Sequence, residues 1–545
     1  MNTVDLENNF FDRKAIIDLL KRRVIDLKEG YRQNIAFLGD RYIGKSSILQ
    51  KFMYELDDEG IVVIYLDLDN KNFNYFFSKF AGSLLYNFAK SKNLNLYDDL
   101  NLLAENARKL IPQTVDEIKK IQTNMAKGKH AESYRDLISL PEIFTLESGK
   151  CCVIILDEFH NLEEFMIPNV FQELGKKIMT QKRCLYLVTS SLGSVAKTIL
   201  SEKLSLLFGN FEVISITPFD LRTGQAFLEH NLKSIRMNNQ LRNFLIDFTG
   251  GHPFYLNMIS QELIQLSALH GQSEIFLPLL AQGLENTIFN RWGILERHFE
   301  LVTTNLYSTK GNRCILSILI ALASGKHKLK DIADHIRLSK TFIASKLNRL
   351  MELSIVAKNG NIYYLQDKML KYWVKYVLQK RMNVIDSHID SQRNQFKDEI
   401  SFLVNSFQVF SQRDLSSRIV ELLHCFDNES FELNGRRYKL PLFQEIVPLK
   451  LKNTIEGGFD VIKASSPEGV WFIILKENNL CESDVNLFLA ESKKFPQKPQ
   501  RRVIISLDEL DANARLKALQ EKMWIWSEGE LNTLLSFYDK PYIVK

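Results

Sequence analysis

The string Gly39-Asp-Arg-Tyr-Ile-Gly44-Lys45-Ser46 spaces two glycines, a lysine and a hydroxyl as a phosphate-binding loop needs them. The glycines let the backbone curl until its N–H groups face an anion at the start of a helix, where the helix dipole also favours negative charge. Lys45 then reaches the β- and γ-phosphates of a nucleotide, and the Ser46 hydroxyl can ligate Mg2+. The plainer alternative is a glycine turn before a surface helix. A second string, Cys152-Val-Ile-Ile-Leu156-Asp157-Glu158, is an apolar run closed by two adjacent carboxylates. Such a run reads as a buried strand, and carboxylates at its C-terminal end lie where parallel sheets bind ligands. Asp157 is the candidate to hold Mg2+ through water, and Glu158 the candidate base that orients an attacking water. The alternative for this pair is a helix N-cap. A third run, Leu185-Tyr-Leu-Val-Thr189, ends in Ser190-Ser191, hydroxyls suited to sensing a γ-phosphate or to ordinary turn chemistry. The chemistry these strings imply is binding of ATP with Mg2+, and Glu158 moves the expectation from binding to hydrolysis.

The elements that must position these residues alternate. An amphipathic helix over residues 12–29 precedes a strand at Asn34 to Leu38, a helix at 46–56 and a strand at 61–68. Strands recur at Cys151 to Leu156, Cys184 to Thr189 and Glu212 to Ile216, separated by helical segments. This βα alternation predicts an α/β domain with a parallel sheet and helices on both faces. Residues 72–147 have helical periodicity and form an insertion whose role the sequence does not declare. Residues 222–300 are helical, broken at Thr249-Gly-Gly-His-Pro253.

These residues resemble the archaeal-type ATPases, a branch of the AAA+/STAND P-loop NTPases, over roughly residues 8–380. The resemblance also rests on Phe11-Asp-Arg13, Ser190-Ser191-Leu192, Ile216-Thr-Pro-Phe219 and Gly250-Gly-His252-Pro253-Phe254. It implies a P-loop ATPase domain over 1–220 and a helical lid over 221–300. It implies nucleotide contacts from Arg13, Gly39, Gly44, Lys45, Ser46, Ser47, Ser190, His252 and Pro253, with Pro253 packing on the base. Judged alone, His252-Pro253 is a helix-interrupting turn. The family carries an arginine before the Ile-Thr-Pro-Phe strand, where this chain has Asn210. That departure implies slow turnover or an arginine supplied from elsewhere, since an arginine stabilising transition-state charge is worth roughly 10³-fold or more.

Three helical segments at Ile315 to Ala323, Leu329 to Ile336 and Thr341 to Leu353 are followed by a hairpin around Asn359-Gly360. The pattern is a winged helix-turn-helix over 301–383. Residues 310–381 hold fifteen Lys/Arg against four Asp/Glu, a net of +11 in a chain whose total is +5, so a small overall charge conceals a basic module. Ser339, Lys340, Thr341, Ser345 and Asn348 on the third helix, with Lys358 on the wing, suit contacts to DNA phosphates and base edges. In the family such a helix also serves as an intramolecular lid or an oligomer contact. Residues 395–545 read as mixed α/β and resemble the restriction-endonuclease-like core of the PD-(D/E)xK nucleases. That resemblance would need two carboxylates and a lysine around Mg2+. The chain offers Asp460, Lys476 and Glu421, but Ile474 stands where the second carboxylate belongs. The expectation is therefore a degenerate domain, with an unrelated α/β domain as the alternative.

At 545 residues, 45% hydrophobic and 25% charged, the chain is long enough for two to four domains of ordinary composition. Its six cysteines form no Cys-x-x-Cys pair, which fits a reducing cytoplasmic setting and no cysteine-based zinc site. No apolar run approaches the ~20 residues of a membrane helix, and residues 1–9 lack the basic and apolar regions of a secretion signal. The expected partners are ATP or ADP and DNA, with nucleotide-dependent homo-oligomers as a further expectation. The competing expectation is an oligomerisation or signalling switch that acts through protein partners without DNA.

Overall fold

The computed structural model describes residues 10–69, 72–204, 211–233, 235–307, 314–383, 389–449, 460–476, 480–493, 499–508 and 510–543. Residues 1–9, Asn210 with the segment before it, and Lys310 and Arg313 lie outside the described residues. The chain divides into two compact units, one ending at Pro218 and one running from Phe219 to the C-terminus, with Glu352–Ser354 grouped with the first.

In the first unit, α1 (Lys14–Lys28) leads to β1 (Asn34–Leu38), α2 (Lys45–Glu55) and β2 (Ile61–Asp67). Four helices follow, α3 (Phe73–Ser91), α4 (Leu100–Ala107), α5 (Pro112–Ala126) and α6 (His130–Ser148). Then come β3 (Cys151–Asp157), α7 (Val170–Thr180), β4 (Cys184–Ser190), α8 (Gly193–Thr198) and β5 (Phe211–Ser215). The strands form one parallel sheet in the order β2-β3-β4-β1-β5. All seven residues of β3 and of β4 are buried, as strands covered on both faces must be, which explains their unbroken apolar runs. The edge strands β2 and β5 keep partly exposed positions. On one face α1 and α2 pack Leu20, Val24, Leu49 and Phe52 against Ile35, Phe37, Val153 and Leu187. The other face is covered by the insertion, whose Phe76, Phe80, Leu84 and Tyr134 join Ile64, Ile154 and Tyr186. The insertion that the sequence left unexplained thus completes the second layer of the sandwich.

The second unit begins with α9 (Leu221–Leu232), β6 (Arg236–Met237), α10 (Asn239–Thr249), α11 (Pro253–His270), β7 (Glu274–Ile275), α12 (Leu277–Leu284) and α13 (Ile294–Tyr307). Next are three helices, α14 (Cys314–Ala323), α15 (Leu329–Ile336) and α16 (Lys340–Glu352), and an antiparallel hairpin of β8 (Val356–Asn359) and β9 (Ile362–Leu365). The helices α17 (Lys368–Trp373), α18 (Gln379–Asn383), α19 (Ile389–Ser411) and α20 (Leu415–Leu423) lead to a hairpin of β10 (Glu429–Leu433) and β11 (Arg436–Leu440). A five-stranded mixed sheet closes the chain: β12 (Glu445–Leu449), β13 (Asp460–Ser466), β14 (Gly469–Lys476), β15 (Arg501–Ser506) and β16 (Trp524–Trp526), in that order. Its later strands are linked by α21 (Glu482–Lys493) and α22 (Ala512–Gln520), and α23 (Glu528–Phe537) follows β16. Among the described residues no helix is long and apolar enough to cross a membrane.

Candidate functional site

The phosphate-binding string lies where the sequence places it, in the turn from β1 into α2. Gly39 is fixed by a close approach, because a Cβ there would stand 2.4 Å from the Ile216 carbonyl oxygen. Gly44 has φ 105°, a conformation costly for any residue with a side chain, and it caps α2 without a side-chain acceptor. The first N–H groups of α2 are therefore left to an anion, the arrangement that favours phosphate. The Lys45 ammonium, 4% exposed, donates to the carbonyls of Gly39 at 2.8 Å and Asp40 at 2.9 Å. Burial lowers its pKa, opposed by the carboxylates of Glu158, Asp157 and Asp40. Phosphate oxygens are stronger acceptors than carbonyls for such a cation. Ser46 is half-buried in the first turn of α2, and Ser47 is exposed beside it.

Because β4 lies between β1 and β3, its C-terminal end stands next to both the loop and the carboxylates. Thr189 and Ser191 exploit that position. The Thr189 hydroxyl donates to the Asp157 carboxylate and accepts from the Glu158 backbone N–H at 3.0 Å. The other Asp157 oxygen accepts from the Tyr65 hydroxyl at 2.8 Å. Tyr65, on β2, is held in its phenol form by burial and by the neighbouring Asp157 charge, which push its pKa up. Glu158 sits in the left-handed region at φ 57°, a strained backbone for a residue with a Cβ. One of its carboxylate oxygens accepts from the Ser191 N–H at 2.7 Å and the Ser191 hydroxyl at 2.8 Å, and the other lies 3.7 Å from the Lys45 ammonium. Ser190 turns elsewhere, its hydroxyl 2.9 Å from His160 Nδ1, and His160 in turn lies 3.4 Å from Glu158. Lys45, Asp157 and Glu158 therefore share one polar cluster at the C-terminal end of a parallel sheet.

Residues 10–259 match a family model described as an ATPase domain predominantly from Archaea. The chain carries an archaeal-type ATPase domain. Similar solved structures include the Walker-type ATPase PABY2304 of Pyrococcus abyssi, 17% identical with a TM-score of 0.46, the likeness covering 67% of this chain and 96% of that one. The ORC2 protein of Aeropyrum pernix, in ADPNP–ADP complexes, is 12% identical with a TM-score of 0.43 over 70% of this chain and 99% of that one. Cdc6p from Pyrobaculum aerophilum is 12% identical with a TM-score of 0.36 over 73% of this chain and 98% of that one. No curated protein matches the chain.

The ATPase domain holds two residues that motif reading missed, Tyr65 and Thr189. Each is an ordinary strand residue in sequence, and only the pairing of β2, β3 and β4 brings its hydroxyl to Asp157. Arg13 bonds the Thr217 carbonyl at 2.7 Å, and burial lowers its pKa. His252 and Pro253 belong to the second unit, where Gly250, at φ 64°, ends α10 and Pro253 opens α11. Locally they are the helix-interrupting turn that they suggest when read alone.

Asp460 and Lys476, two of the endonuclease-like residues, are not brought together. Asp460 pairs in register with Leu475, and Val461 with Ile474. Residues opposite one another in a sheet share a face, and neighbours along a strand alternate. Asp460 therefore belongs to the face of Leu475, and Lys476 to the face of Ile474. Lys476 is bonded at 2.6 Å to Asp484 on α21. Glu421 is paired with Arg413 and, at 3.6 Å, with Lys540. Among the described residues no group of three or more His, Cys, Asp or Glu is placed to hold a metal ion. Of the possible nuclease remnant Glu421, Asp460 and Lys476, the register places Asp460 and Lys476 on opposite faces of the sheet.

The candidate DNA-contact residues divide into two sets. Lys340, Thr341 and Ser345 are exposed on α16, with Ser339 and Asn348, and the half-exposed Phe342 carries Lys346 over its ring at 5.5 Å. The β8–β9 hairpin is instead engaged by β10. The Asn361 N–H donates to the Ser430 carbonyl at 2.8 Å and its side-chain oxygen accepts from the Ser430 N–H at 2.9 Å. The Asn359 side chain makes both of its bonds to the Glu432 backbone, its amide Nδ2 donating to the carbonyl at 2.9 Å and its Oδ1 accepting from the N–H at 2.6 Å. A Cβ on Gly360 would overlap the Ser430 carbonyl at 1.8 Å. Lys358 remains exposed beside that contact, its ammonium 5.1 Å from the centre of the Tyr363 ring.

Proposed function

We propose that the chain is a Mg2+-dependent ATP hydrolase whose nucleotide state governs a basic winged-helix module acting on DNA. The carrying observation is the meeting of Lys45, Asp157 and Glu158 at one end of the parallel sheet. Lys45 and the N–H groups of the Gly39–Ser46 loop hold the phosphates, with Arg13, Ser47 and Ser190 as further nucleotide contacts. Ser46 and Asp157 supply the hydroxyl and carboxylate that suit Mg2+, both oxygen donors as that ion requires. Mg2+ there would neutralise charge on the β- and γ-oxygens. Glu158 takes the proton from the attacking water as its oxygen bonds to the γ-phosphorus, and the bond to the β-γ bridging oxygen breaks, leaving ADP and phosphate. Ser191 fixes the carboxylate in the meantime. Asn210 leaves turnover slow until an arginine comes from a partner or a second copy.

Exposed Lys340, Thr341 and Ser345 carry the DNA half of this reading, and Lys358 adds charge from the hairpin. The test is ATP turnover with and without duplex DNA, together with DNA affinity in ATP and in ADP at two salt concentrations. The expected result is turnover, and DNA binding that weakens with salt and differs between nucleotides. Absence of DNA binding in both nucleotides would remove that half. The docking of Asn359 and Asn361 on β10 favours a second reading, in which the module meets protein and nucleotide drives homo-oligomer assembly. A mass that changes between ATP and ADP without DNA binding would select it.

A further inference from the structure

A cleft of about 480 Å³ opens where the edge strand β2 meets α3 and the segment entering α4. Its volume is that of a small-molecule site. Tyr65, Tyr75, Tyr86 and Tyr97 line it, with Lys79 and Asp98 as its charged groups. Tyr75, Tyr86 and Tyr97 are each more than a third exposed, and the Lys79 ammonium lies 5.6 Å from the centre of the Tyr75 ring. The free edge of β2 is already taken at this point. The Tyr65 N–H donates to the Ser83 hydroxyl at 3.3 Å and the Asn87 amide to the Val63 carbonyl at 2.7 Å, so an added strand has nothing to pair with. Recognition in the cleft falls to ring faces and a few polar groups.

Several tyrosine rings around one space suit a planar, π-rich ligand, and the tyrosine hydroxyls and Asp98 suit its hydrogen-bonding edge. One lysine balanced by one aspartate gives no excess charge to hold a phosphate. Tyr65 is one of the residues that line the cleft, and its hydroxyl is bonded to Asp157. We propose that this cleft binds an uncharged heterocycle of the nucleoside class and that Tyr65 relays its occupancy to Asp157. A ligand lodged against Tyr65 restrains that residue and holds its hydroxyl on the carboxylate, orienting Asp157 as outer partners orient metal ligands. The two ligands then tighten one another's binding reciprocally. The relay rests on the assignment of Asp157 to the nucleotide site; the cleft does not.

The test uses the full chain saturated with Mg2+ and ADP, so that the phosphate loop is filled, titrated calorimetrically with adenosine, guanosine and cytidine. At least one should bind saturably, the matching monophosphate should bind no tighter, and Tyr86→Ala should weaken the nucleoside about tenfold, the scale of one lost base–aromatic stack. The bound nucleoside should tighten ADP about fivefold in the wild type. Tyr65→Phe should keep the nucleoside but lose that effect. No saturable binding by any of the three, or binding that Tyr86→Ala leaves unchanged, overturns the site. A monophosphate that binds more tightly overturns the uncharged class, and coupling that survives Tyr65→Phe overturns the relay. Lys45→Ala without ADP should still bind the nucleoside, and about tenfold more weakly when Tyr86→Ala is added. A wrong nucleotide-site assignment and a wrong cleft therefore fail in different titrations.

Discussion

Asp157 and Asp460 each stand at a strand end of a five-stranded sheet, and each was a candidate metal ligand. Around Asp157 the parallel register of β2, β3 and β4 delivers Tyr65 and Thr189 to its two oxygens, and Lys45 and Glu158 meet beside it. Around Asp460 the antiparallel register of β13 and β14 sends the nearest lysine of the motif to the opposite face, where Asp484 neutralises it. Residue types are shared by the two places. A one-residue difference in register separates a convergent cluster from two unrelated surface positions, because side chains alternate with a period of two.

The comparison can be broken at several strengths. Glu158→Gln should lower ATP turnover by roughly 10²–10⁴-fold while ATP still binds, because it removes a base and keeps the shape. Steady-state phosphate release beside equilibrium ATP binding measures both, and full turnover would remove Glu158 from its assigned role. Lys45→Ala should weaken ADP by roughly a hundredfold, the scale of losing one buried charged partner, read by calorimetry. Ser191→Ala deletes one of two bonds to the Glu158 carboxylate. It should reduce kcat by about tenfold with KM unchanged, the scale of a hydrogen bond to a charged group; an equal change in KM would mean that Ser191 touches the nucleotide instead. The smallest effects are expected in the C-terminal sheet. Lys476→Met should cost about 1.5 kcal/mol in urea unfolding through loss of the Asp484 bond. Asp460→Ala, at an exposed position, should stay within about 0.5 kcal/mol. Plasmid DNA with Mg2+ or Mn2+ should stay uncut by the wild type, and cleavage lost in either variant would restore the metal site that the register denies.

The phosphate loop, its strand and its helix were legible because the spacing from Gly39 to Ser46 has few other uses, and Asp157-Glu158 because an abrupt change from apolar to acidic marks a strand end. The turn at Gly250 to Pro253 and the helices and hairpin at 314–365 were legible from glycine, proline and helical periodicity. Tyr65, Thr189 and the hold of Ser191 on Glu158 were not, since each depends on which strands are neighbours. The placement of β4 between β1 and β3 is a long-range choice that no local pattern records. The docking of Asn359 and Asn361 on β10 was equally hidden, because a hairpin turn rich in asparagine looks the same whether its amides face water or another strand.

The sequence by itself determined that this chain has a loop shaped for phosphate and a strand that ends in two carboxylates, because backbone freedom at glycine and burial of apolar runs are local properties. Tertiary structure alone decided that the insertion covers a sheet face, that Tyr65 and Thr189 hold Asp157, and that Asp460 and Lys476 stand apart. Those outcomes follow from strand order and register, which are set by how whole faces bury one another.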